Sequence, residues 1–127
     1  MASVKLTNTA NVVGNYESVP TTLTSEAVIT EMITGLTIIK TADKQNWATG
    51  FLTYTVTISN DTDVPYESPS FTDILNPDLI KLVDNSVEVN GVASQYTYDS
   101  ATGLLTISLE TIDNTSNSVI TFQVQKA

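Results

Sequence analysis

Hydrophobic and polar positions alternate with period two most cleanly over residues 51–60, FLTYTVTISN. Leu52, Tyr54, Val56 and Ile58 share one face, and Thr53, Thr55, Thr57 and Ser59 share the other. That pattern predicts a strand with one buried side, ended by the Asn/Asp/Thr/Pro turn chemistry of 60–65. Similar runs recur along the chain. Residues 4–13 read as one strand with Leu6, Asn8, Ala10 and Val12 on a face, stopped by Gly14. Residues 14–25 read as a loop holding a short extended piece at 19–23. The run at 27–33, AVITEMI, fits helix or strand by period alone, and its β-branched content favours strand.

Further strands are expected at 36–41, with Leu36, Ile38 and Lys40 on one face, and at 69–75, with Phe71, Asp73 and Leu75 on one face. Trp47, in the connection between the strands at 36–41 and 51–60, is placed to cap the end of the core. A short strand or helical turn is expected at 79–83. Asn90-Gly91 predicts a tight turn within 87–92, and strands at 95–98 and 104–109 flank a hairpin loop in which Gly103 supplies a positive φ. Residues 112–118 read as a polar loop, and 119–125 as the last strand. Many short strands with threonine-rich faces and no convincing helix predict an all-β fold, an immunoglobulin-like β-sandwich of jelly-roll or Greek-key type with about eight to ten strands.

Six segments between Gly35 and Gln125, namely LTIIKTAD, LTYTVTISN, SFTDIL, NSVEVNGV, YDSATGLLTISL and VITFQV, occur in an order that resembles the bacterial surface repeat known as domain of unknown function 11. The fold implied is also similar to the isopeptide-forming domains of Gram-positive pilins. Residues 1–33 resemble the same family out of order. Segments like LTNTANVVG and SEAVITEM close the family's repeat at its C-terminal end, whereas here they stand first. The chain therefore reads as circularly permuted, or as cut so that it begins with closing strands. The expected organisation is one domain, with 1–33 as closing strands and candidate donor arm and 34–127 as the sandwich body. A body without its closing strands has open sheet edges, which its own arm fills in cis or a neighbour's arm fills in trans.

Three polar residues stand where the period calls for apolar ones: Asn8, Lys40 and Asp73. Burying a lysine and a carboxylate is costly unless they are paired or neutralised. The resemblance to pilin domains implies a role for them. Lys40 would be the nucleophile, Asn8 the electrophile and Asp73 the acid/base of an isopeptide bond, an apolar site favouring the neutral amine and the protonated acid. The competing expectation is a hydrogen-bonded polar cluster.

Composition narrows the remaining classes. Fourteen acidic residues against five basic ones, all lysine, give a net charge of −9, so a nucleic-acid partner and a membrane-surface role are not expected. Without cysteine or histidine there is no disulfide framework, no thiolate metal site and none of the usual hydrolase pairs. No metal and no cofactor is expected, since Asp61 and Asp63 alone lack the ligand count of a calcium site. Asn60-Asp61-Thr62 and Asn114-Thr115-Ser116 fit the glycosylation pattern. Tyr54, Tyr96, Tyr98 and Phe122 read as core or cross-strand aromatics. The start of the chain lacks the apolar stretch of a signal peptide, and no run is long enough to span a membrane.

The expected function is structural, not enzymatic beyond autocatalytic bond formation. The chain would be the subunit of an extracellular or spore-surface fibre that polymerises with itself head to tail by strand donation. The alternative is a monomeric stalk or adhesin repeat completed in cis.

Overall fold

The computed structural model describes residues 3–127. The first two positions of the expected arm lie outside it. The described residues contain strands and no helix, in two units, Met1–Thr34 and Gly35–Ala127. Strands number thirteen among the described residues, more than the eight to ten expected, because several segments break into shorter pieces.

The N-terminal unit is a two-stranded ribbon, one long hairpin interrupted into two ladders. β1 (Ser3–Asn8) pairs antiparallel with β4 (Val28–Ile33), and β2 (Asn11–Tyr16) pairs antiparallel with β3 (Val19–Thr24). The run 4–13 is interrupted at Thr9-Ala10, and Gly14 lies inside a strand, so the expected loop at 14–25 is most of a hairpin. Its tip is Glu17-Ser18, both at positive φ (50° and 68°), the backbone a two-residue turn needs, adopted without glycine or asparagine. That missing signature is why the turn was not legible. Between the two ladders, the Ala10 N–H donates to Ser25 Oγ (2.9 Å) and the Ser25 N–H donates to the Ala10 carbonyl (2.8 Å). Among the described residues of the ribbon no side chain is buried. Leu6, Val12, Tyr16, Val19, Leu23 and Val28 are all exposed.

The second unit is a β-sandwich. Its larger sheet runs β10 (Val92–Ala93), β9 (Glu88–Val89), β13 (Ser116–Lys126), β6 (Leu52–Asn60), β5 (Leu36–Ala42), with β8 (Ile80–Leu82) also on β13. The smaller sheet runs β11 (Thr97–Asp99), β12 (Leu104–Ser108), β7 (Ser70–Ile74). All pairings are antiparallel. β6 and β13 form the centre of the large sheet, in register from Ser116 opposite Asn60 to Val124 opposite Leu52. β13 starts within the expected polar loop 112–118, since Ser118 continues the inward alternation of Ile120, Phe122 and Val124 and is itself buried.

Facing residues from both sheets make one core that includes Leu52, Val56, Phe71, Leu75, Leu105, Ile107 and Phe122. Tyr54 lies directly opposite Phe122 with ring centroids 5.5 Å apart, and Phe71 meets Phe122 at 6.5 Å across the two layers. Trp47 packs against this core and donates its indole N–H to the Gly50 carbonyl (3.1 Å). The Asn90-Gly91 turn has φ of 53° and 80°, as its sequence predicts. Glycine is required twice over at Gly103, by its φ of 80° and because any Cβ there would run into the Leu75 carbonyl; its own carbonyl accepts the Leu75 N–H (2.8 Å).

Candidate functional site

The site is a seam between the two sheets of the body. β5 ends the large sheet and β7 ends the small one, so each offers a free edge. Between them lies a groove of about 350 Å³, lined by Leu36, Ile38, Ile58, Tyr66 and Phe71 among others. Register fixes which way β5 faces. Ile38 opposes buried Ile58, and Lys40 opposes fully buried Val56, so Leu36, Ile38 and Lys40 sit on the inner face. Ile38 is nevertheless 62% exposed. An inward isoleucine left in water means that, among the described residues of the body, nothing covers this margin of the core.

Asp73 stands on the inner face of β7, opposite buried Leu105. Across the seam the Lys40 ammonium donates to its Oδ2 at 2.6 Å and lies 4.3 Å from the centroid of the Tyr54 ring. A carboxylate and an aromatic face thus hold the Lys40 cation in the seam. The expected burial of this pair is corrected: the Lys40 side chain is 40% exposed and that of Asp73 16%. Alternation predicts the face a side chain takes but not whether anything lies over that face, and at a sheet edge nothing does.

Of the three predicted site residues, the structure brings Lys40 and Asp73 together. Asn8, also expected inside, is exposed on β1 of the ribbon, where it opposes Val28.

The sequence reading missed a second polar cluster. The Asn60 side chain is fully buried. Its amide nitrogen donates to the Val64 and Ile112 carbonyls (both 2.9 Å), and its oxygen accepts from the Thr62 N–H (3.0 Å) and hydroxyl (2.5 Å). Asn60 is therefore not an open glycosylation acceptor, and it pins the turn after β6. Its signal was the period itself, which runs Leu52, Tyr54, Val56, Ile58, Asn60 without a break. In the β5–β6 connection, the hydrogen bond from the Thr53 N–H (2.9 Å) and then the nearby Lys44 hold Asp43 below the ordinary aspartate range, against the opposing effect of desolvation.

Among the described residues no cluster of three or more acidic side chains could hold a metal ion, and no helix is long and apolar enough to cross a membrane. A larger groove of about 640 Å³ lies by β9 and β10, lined by Asn90, Ser94, Gln95, Glu110 and Asn117 among others. Comparison with protein-family models, curated proteins and solved structures finds no match to this chain.

Proposed function

We propose that this protein is the structural subunit of a self-assembling fibre of the bacterial cell or spore surface, in which the N-terminal ribbon of one copy closes the seam of the next. The observation that carries the reading is Ile38, which faces the core yet stands in water between two free strand edges. The ribbon supplies the complement. It has exposed apolar residues and no core of its own, and an isolated two-stranded ribbon is marginal in water. Each subunit then carries one acceptor and one donor, so contacts run head to tail and the product is a filament unless a ring closes. The resemblance of the segments between Gly35 and Gln125 to a bacterial surface repeat fits a structural role outside the cell.

Lys40 and Asp73 would lock the junction. Once the seam is covered, a proton passes from Lys40 Nζ to the Asp73 carboxylate, which removes both charges from a dry site. The amine attacks Cγ of Asn8 on the incoming ribbon. The Nζ–Cγ bond forms and the Cγ–Nδ2 bond breaks; a second proton lost from Nζ, relayed by Asp73, joins the Nδ2H2 group, which leaves as ammonia, and the first proton stays on the Asp73 carboxyl. No oxidant or cofactor is needed.

Negative-stain electron microscopy of the full chain tests the reading. The expected result is elongated fibres of uniform width, and a field of discrete particles at every concentration would overturn it.

A further inference from the structure

Resting on that reading, we infer that β1 of the incoming copy lies parallel to β5, with Leu6 beside Ile38 and Asn8 beside Lys40, and that a chain's own ribbon cannot make this junction. Two observations lead there. The first is spacing. Positions 4, 6 and 8 read Val, Leu, Asn, and positions 36, 38 and 40 on the inner face of β5 read Leu, Ile, Lys. Laid parallel with Asn8 at Lys40, apolar meets apolar at each other position. Laid antiparallel, Ala10 falls beside Ile38, where the ribbon is interrupted and the Ala10 N–H is already committed to Ser25.

The second observation is reach. In the parallel register Ser3 falls level with Gly35, and residue 33, hydrogen-bonded opposite Ser3, lies one strand further out. Two strand spacings separate it from Gly35, about 9.5 Å. Gly35 is held on the body, its carbonyl accepting the Asp61 N–H at 2.8 Å. Only Thr34 then remains free, and two backbone steps span at most about 7 Å. A chain's own ribbon cannot bridge that gap. If instead its own β4 turned back on β5 through the two-residue link, residue 33 would oppose Leu36, so the face of Lys5 and Thr7 would turn to the seam and Leu6 and Asn8 would turn away. The occupant that presents Asn8 to Lys40 is a second copy.

The native chain has no cysteine, so every disulfide can be placed at will. In an Asn8→Ala background, which leaves disulfides as the one covalent link, a Leu6→Cys copy and a mass-tagged Ile38→Cys copy are refolded together and oxidised. An Ala10→Cys copy is treated in the same way. Adjacent strands bring the sulfurs within bonding geometry only for the facing pair. The expected result is a mixed dimer from Leu6→Cys with Ile38→Cys that vanishes on reduction, and none from Ala10→Cys with Ile38→Cys. The reverse pattern overturns the parallel register while donation stands, as does the absence of both dimers from a sample that light scattering shows to be polymeric. A Leu6→Cys/Ile38→Cys double variant that links only within itself, or a sample that stays monomeric with no link, overturns donation itself.

Discussion

Lys40, Asp73 and Asn8 carry the chemistry of the proposed junction, and each can be removed without disturbing the buried core. A boiled denaturing gel of the untagged protein, with intact mass on each band, reads the bond directly. The expected pattern is a ladder in which every junction is lighter by one ammonia, collapsing to full-mass monomer in Lys40→Ala, Asn8→Ala and Asp73→Ala. A ladder that survives Lys40→Ala would assign the cross-link to other residues. A wild-type band at full monomer mass would leave the Lys40–Asp73 pair as an ion pair across the seam and nothing more, consistent with the modest value of such pairs when partly exposed.

At the scale of elements, the strands of the body were largely legible because each keeps one face on a core, and period two follows from that. The ribbon was legible only in part. With neither face buried, β2 and β3 are under no pressure to alternate, and their turn at Glu17-Ser18 lacks the glycine or asparagine that marks such turns. The face of Lys40 and Asp73 could be read from the sequence, but their exposure could not, since it depends on what lies over the sheet margin. Asn60 shows the opposite error: taken as turn chemistry, it is the last inward position of β6. Replacing it with alanine strips partners from the buried backbone groups of Thr62 and Ile112 and the part-buried carbonyl of Val64, a loss of about 3 kcal/mol. Urea unfolding of Asn60→Ala measures it, and a change under about 1 kcal/mol would mean that water replaces those bonds.

For the whole molecule, the body alone has a packed core and an open margin, and the ribbon alone has apolar residues and no core. In the proposed fibre each would supply what the other lacks. A net charge of −9 opposes association by repulsion, so a junction between copies would have to be specific enough to overcome it. Whether a neighbour provides the junction is read from the light-scattering molar mass of the full chain as concentration rises. The expected mass climbs well above the 13.7 kDa of one chain, and returns to one chain when Ile38→Glu places a charge on the inner face of the seam. A wild-type mass that stays at 13.7 kDa across the range would contradict donation by a neighbour.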